Sequence, residues 1–224
     1  MAEVLFVITS YDRLLNGDPT GLWLEEFAVP YNRLRAAGHN IQVVSVAGGD
    51  VAVDPASKPD DAQAGEWSEA LDALRDTAPL ADTSAERFDA VYLPGGHGTV
   101  FDMPYNKQLH RLLQRMDERG ALIASVCHGP GVFVGLRDAN GAPWIAGCRV
   151  SAFSDAEEDA VGGRPKVPFL LESRLRELGA EVSVAEPWQP YVVRDGRLIT
   201  GQNPQSSGPV ADALNEALTE RAAG

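Results

Sequence analysis

Cysteine is scarce in this chain of 224 residues: only Cys127 and Cys148 are present. They form no C-x-x-C pair, and two cysteines make no disulfide framework, so a reduced, cytoplasmic setting is expected. Basic residues are short as well. Lys and Arg number 19 against 32 Asp and Glu, a net charge of -13. That balance argues against nucleic acid and anionic membranes as partners. No apolar run is long enough to span a bilayer, and the start, Met1-Ala2-Glu3-Val4-Leu5-Phe6, lacks the basic region of a signal peptide. No glycine turn is followed by the Lys-Ser/Thr of a P-loop. No group of His, Cys, Asp and Glu has zinc-ligand spacing, and neither metal nor cofactor is expected. Internal repeats and low-complexity tracts are absent too.

What is present is the composition of a globular chain, 44% hydrophobic and 23% charged. Its most informative stretch is Ala121-Leu122-Ile123-Ala124-Ser125-Val126-Cys127-His128-Gly129-Pro130. Residues 121–126 are too few for a helix and read as a buried strand. Gly129 and Pro130 end it, and a helix over 131–136 is expected to follow. Cys127 therefore sits where a nucleophile elbow places its serine. A helix start beside the sulfur would favour thiolate.

Around this elbow the chain alternates strand and helix. Residues 4–9 and 41–46 read as buried strands, and 21–37 as a helix capped by Thr20, with Leu24, Phe27, Tyr31 and Leu34 on its core face. Pro30 should kink or interrupt it. Residues 49–88 read as an irregular acidic excursion, with a short strand at 51–53 and a short helix at 67–74. Residues 90–93 form a strand running into Pro94-Gly95-Gly96-His97-Gly98, and 106–119 a helix ended by Gly120. Further on, 148–151 is extended, 168–178 helical and 181–185 a strand. A hairpin joins 191–194 to 198–200 across Asp195-Gly196, and 209–221 is the last helix. This order predicts an α/β fold with a mostly parallel, doubly wound sheet, and one domain over residues 1–224.

Ligands of such sheets bind at the carboxyl ends of the strands. Gly95, Gly96 and His97 lie at one such end, and Cys127 and His128 at another. The amides around Gly96 and of His128 are candidates for an oxyanion hole, with Gly95, Gly96 and His97 as its substrate-binding wall. His39 and His110 read as surface residues, and Cys148 as passive.

Several motifs in combination are similar to those of the ThiJ/PfpI superfamily, and most closely to its heat-shock chaperone and glyoxalase III branch. They are Val126-Cys127-His128-Gly129-Pro130, Gly95-Gly96-His97-Gly98-Thr99, Thr20-Gly21-Leu22-Trp23-Leu24-Glu25-Glu26, Phe153-Ser154-Asp155, Pro187-Trp188 and Gly201-Gln202-Asn203-Pro204. The resemblance implies a flavodoxin-like sheet shared with class I glutamine amidotransferases. It implies Cys127 as nucleophile and His128 as its histidine. Glu158 is implied as the partner of His128, with Glu157 and Asp155 as rivals, and Glu26 rather than Glu25 as the carboxylate touching the sulfur. The implied activity is cofactor-independent conversion of methylglyoxal, a small reactive aldehyde, to a 2-hydroxy acid through a cysteine hemithioacetal. A homodimer is implied as well. A cysteine hydrolase (amidase, peptidase or deglycase), a stress-response chaperone or a redox sensor could be built from the same residues.

Overall fold

Residues Val4 to Ile8 have no exposed surface at all, which in a strand means burial on both faces and a place at the centre of a parallel sheet. The computed structural model describes residues 1–223. In chain order it contains β1 (Glu3–Ile8), α1 (Leu24–Ala36), β2 (Asn40–Ser45), α2 (Asp61–Glu66), α3 (Ser68–Ala73), β3 (Ala78–Pro79), β4 (Ala90–Leu93), α4 (Thr99–Asp102), α5 (Lys107–Glu118), β5 (Leu122–Val126), β6 (Arg149–Val150), α6 (Asp155–Ala160), α7 (Leu171–Glu177), β7 (Glu181–Val182), β8 (Val192–Asp195), β9 (Leu198–Gly201) and α8 (Ser207–Ala223). Seven strands make one sheet in the order β3-β2-β1-β4-β5-β9-β8. All neighbours are parallel except the β8–β9 hairpin. β6 and β7 pair in a small parallel sheet of their own.

Alternation along the strands divides the core into two layers. Leu5, Val7, Val91, Leu93 and Ile123 face the layer that includes Leu109, Leu112, Leu113 and Met116 of α5 and Leu171 and Leu175 of α7. Val4, Phe6, Ile8, Tyr92, Ala124 and Val126 face Phe27 of α1 and Val210 and Leu214 of α8. α5 begins where Asn106 accepts the N–H groups of Gln108 and Leu109. The fold is the mostly parallel α/β sheet expected. Among the described residues no helix is long and apolar enough to cross a membrane.

Several local expectations are corrected. α1 starts at Leu24, because Thr20 does not cap it: its hydroxyl donates to Asp54 at 2.8 Å, and the Leu22 N–H donates to Ala52 O at 2.9 Å. Those bonds hold residues 20–22 extended against 52–54, and only a bridge at Val53 remains of the strand expected over 51–53. Region 49–88 is more regular than its composition suggests. It holds α2, started by a reciprocal Asp60–Gln63 capping box, then α3, and β3, which edges the main sheet. The short length of these pieces hides their periodicity. His39 is buried, accepting the Ala2 N–H at Nδ1 and bonding Asn215 through Nε2; His110 is half-buried rather than a surface residue.

Pro30 does not interrupt α1. A proline at this position has no N–H for the carbonyl four residues earlier, which is Glu26 O. The Tyr92 hydroxyl, from β4, donates to that carbonyl at 2.9 Å. The missing helix bond is thus replaced from the sheet, and the replacement ties α1 to β4 at Glu26. Tyr92→Phe is expected to leave a buried acceptor unpaired and to lower stability by about 1–3 kcal/mol. Urea denaturation measures it; a loss below about 0.5 kcal/mol would show that the helix tolerates the gap unaided.

Candidate active site

β5 ends at Val126, and the next residue leaves the sheet with φ 58° at Cys127. This left-handed conformation is costly for a residue with a Cβ and has to be held from outside. The Cys127 N–H donates to Gly201 O at 2.9 Å and its carbonyl accepts the Phe153 N–H at 3.0 Å, so β9 and the segment before α6 clamp it. The helix expected behind the cysteine is a 3-10 turn over Gly129–Val134, and its short dipole offers the sulfur little.

Glu26, on α1, is fully buried behind the cysteine. Its Oε2 accepts the Gly95 N–H at 2.8 Å, and its carboxyl lies against the Cys127 thiol. Its Oε1 has no hydrogen-bond partner among the described residues. Burial pushes the Glu26 carboxyl well above the usual carboxylate range, and neighbouring Glu25 and Asp54 add to this. Burial pushes the Cys127 thiol up as well, and an ionised Glu26 pushes it further. This reverses the expectation of a thiolate favoured by a helix start. The two acids titrate as a coupled pair.

Gly95 is therefore corrected from the oxyanion wall: its amide is spent on Glu26. A Cβ there would stand 2.6 Å from Glu26 Oε2 and 2.6 Å from His128 N, so glycine is what lets strand end, carboxyl and elbow meet. Gly96 is different. Its φ is 94°, and its buried N–H donates to no acceptor among the described residues. The His128 N–H faces the Cys127 sulfur. Gly96 and His128 both line the cavity that Cys127 faces.

The His128 Nδ1 is 3.3 Å from Cys127 Sγ, and its Nε2 is 2.7 Å from Glu158 Oε2. His97 also reaches Glu158, with Nε2 2.7 Å from Oε1, and its ring centroid lies 4.3 Å from that of His128. Burial alone would raise the Glu158 carboxyl, but His128 and His97 outweigh it and hold it well below the usual range. Burial, then the neighbouring His97, pushes the His128 imidazole down. An ionised carboxylate only accepts, so both Nε2 atoms carry the hydrogen and the Nδ1 of neutral His128 turns a lone pair to the sulfur.

Among the three acidic candidates, it is Glu158 that meets His128. Glu157 points away: it accepts the Ser154 N–H and hydroxyl, the Trp188 N–H, and the side-chain amides of Gln202 and Asn203. Asp155 accepts the Ser173 N–H and hydroxyl at the start of α7. His97, expected on the substrate wall, does line the cavity but spends Nε2 on Glu158. His97, His128 and Glu158 bring three ligand-type atoms within 4.8 Å of one another, a grouping that spacing in the sequence did not show. Each Nε2 is engaged with the carboxylate, so a metal would have to displace both hydrogen bonds.

The site opens into a cavity of about 290 Å³, walled by Cys127, His128, Gly96, Trp23, Phe153 and Trp188 among others. Glu25 is in this wall, whereas Glu26 lies behind it. Trp23 and Trp188 were not singled out as site residues from sequence. Both fall within motifs that carry the family resemblance, but spacing gives no sign that they share a cavity, because loops far apart in the chain carry them.

A model of the DJ-1/PfpI family matches residues 20–217. Glyoxalase 3 of Candida albicans is 30% identical over 95% of this chain and 96% of its own. The solved structure of glyoxalase III from that organism has a TM-score of 0.85 at 29% identity, over 96% of this chain and 97% of that one. The 24 kDa Rapid Encystment Protein of Francisella tularensis gives a TM-score of 0.92 at 35% identity, over 97% and 99% of the two chains.

The Glu26–Cys127 contact makes a prediction of definite sign. Glu26→Gln replaces a group that can carry negative charge by a neutral amide, so less repulsion opposes thiolate formation. The pH midpoint of Cys127 alkylation by iodoacetamide, followed on its own peptide, is expected to fall relative to wild type. A rise would mean that the carboxyl acts mainly as a proton donor to thiolate.

Proposed function

This chain belongs to the DJ-1/PfpI family, and from that premise we propose that it is a glutathione-independent glyoxalase, converting methylglyoxal or a related 2-oxoaldehyde and water to a 2-hydroxy acid. The observation that carries the reading is a thiol held between a buried carboxyl and an imidazole whose far nitrogen is bound to an ionised carboxylate. Its similarity over nearly the full length to glyoxalases agrees with that chemistry.

The Cys127 proton passes to Nδ1 of His128 as the sulfur attacks the aldehyde carbon. The alkoxide forms beside the Gly96 and His128 N–H groups and takes the proton of Glu26, giving a neutral hemithioacetal. Glu26, now a carboxylate, removes the hydrogen from that carbon while imidazolium protonates the adjacent ketone oxygen. The resulting enediol collapses: Glu26 returns its proton to the neighbouring carbon, and the remaining hydroxyl proton goes back to His128 as the thioester carbonyl forms. The Glu26 carboxylate then takes a proton from water as it attacks the thioester, and the departing thiolate takes the imidazolium proton, which releases the 2-hydroxy acid and restores Cys127, His128 and Glu26. Glu158 keeps His128 in the required tautomer, and no external electron carrier enters the balance. The finer assignment, a homodimer in the cytoplasm, draws on the family resemblance and on two cysteines that are both free; sedimentation of a monomer at micromolar concentration would remove the dimer and leave the chemistry intact.

Lactate formation from methylglyoxal by four variants tests the roles. Cys127→Ala should abolish turnover. Glu26→Gln should cost about 10²–10⁴, the usual contribution of a positioned acid or base. Glu158→Gln should cost less, because it acts through His128, and Glu25→Gln the least. Equal, small losses for both helix glutamates would reject Glu26 as the base. Retained turnover in Cys127→Ala would reject covalent catalysis.

A further inference from the structure

Three non-glycine residues have positive φ among the described residues: Asp76, Cys127 and Trp188, the last at 66°. Asp76 is on an exposed turn. The other two line the same cavity. Strain of this kind persists only where the surroundings impose it, and it clusters where a side chain has to be aimed. For Cys127 the aim is the sulfur, and Trp188 calls for a similar account.

The restraint on Trp188 is visible. Its N–H donates at 2.9 Å to Oε1 of Glu157, a carboxylate with no exposed surface. Glu157 is fixed in turn by the Ser154 N–H and hydroxyl and by the amides of Gln202 and Asn203, at 2.7 to 3.1 Å. A buried carboxylate with this many donors is a rigid anchor, and it holds the backbone of a residue that is still 38% exposed. An exposed indole needs no such anchoring for stability. The ring stands edge-on to Phe153 at 5.9 Å, and Phe153 packs on the His128 ring at 4.5 Å. Aromatic surface therefore runs from the catalytic imidazole to the cavity mouth, with Trp23 and Leu14 also in the wall.

The cavity is also large for the substrate considered so far. At about 290 Å³ it has room for roughly ten waters at ~30 Å³ each, and three-carbon methylglyoxal occupies a minor part of it. We propose that Trp188, aimed by Glu157, is a specificity-determining residue that receives the substituent beyond the ketone carbon, and that the preferred substrates are 2-oxoaldehydes with a bulky apolar or aromatic substituent. The reaction stays as written above, and the inference rests on that reading of the site. The indole and Phe153 cover the substituent, and the dicarbonyl end is left at Cys127 and the Gly96 and His128 amides.

The test compares initial-rate kcat/KM for phenylglyoxal and methylglyoxal in the full chain. Wild type is expected to favour phenylglyoxal. Trp188→Gly removes the indole and suits the positive φ, so it should fold at least as readily as wild type. It is expected to lower the phenylglyoxal-to-methylglyoxal ratio by about tenfold or more, the scale on which an apolar pocket discriminates, mainly through KM. Trp188→Phe, which keeps an aromatic face, should recover most of the ratio. A wild-type preference for methylglyoxal, or a ratio unmoved in Trp188→Gly while methylglyoxal is still converted, overturns this inference alone. Failure of wild type to convert either aldehyde overturns the glyoxalase reading and this inference with it.

Discussion

A single buried carboxyl, that of Glu26, is the constraint on which the site depends. Its backbone carbonyl takes the Tyr92 hydroxyl from β4, its Oε2 takes the Gly95 N–H, and its carboxyl abuts the Cys127 thiol. One residue of α1 thus touches the ends of two neighbouring central strands. Taking a carboxyl this far from water keeps it protonated well above its ordinary range. The cost of burial is thereby turned into a proton held next to the sulfur, where the proposed chemistry uses it. Pro30 takes part in the same arrangement, since the carbonyl it leaves without a helix partner is the one that Tyr92 reaches.

On the opposite side of the cysteine, two adjacent glutamates do unlike work because α6 turns them to different surroundings. Glu158 faces two imidazoles and is held ionised by them. Glu157 faces amide, hydroxyl and backbone donors and serves as an anchor for Trp188 and for the segment after β9. Successive helical residues point about 100° apart, which is enough to separate an electrostatic partner from a structural one. The same rotation puts Glu25 in the cavity wall and Glu26 behind it.

The segments that resisted sequence reading share a physical cause. α2 and α3 are six residues each, and β3 is two, too short to show a helical or strand period. The start of α1 was misplaced because Thr20, a good cap by type, is drawn to Asp54 instead. The thiol at the elbow was expected to be acidic from the helix behind it. The nearer influences, burial and a carboxyl, act in the other direction and outweigh a short 3-10 turn.

The sequence by itself determined the architecture and the position of the elbow. Buried strands such as 4–8 and, but for Ser125, 122–126 are apolar runs, and the abrupt change from Val126 to Cys127-His128-Gly129-Pro130 is written locally in residue types that end a strand. The motifs that resemble a known family also narrowed the chemistry to a thiol and its acid-base partners. Only the tertiary structure decided which glutamate meets His128, that the Gly95 amide serves Glu26 rather than an oxyanion, that His97 shares Glu158, and that Trp188 stands over the cavity. Those are contacts between residues 30 to 69 positions apart, created when loops from separate strand ends converge. Strand and turn preferences are short-range properties of the chain, whereas hydrogen-bond partners and the pKa shifts that burial imposes depend on neighbours that only folding supplies.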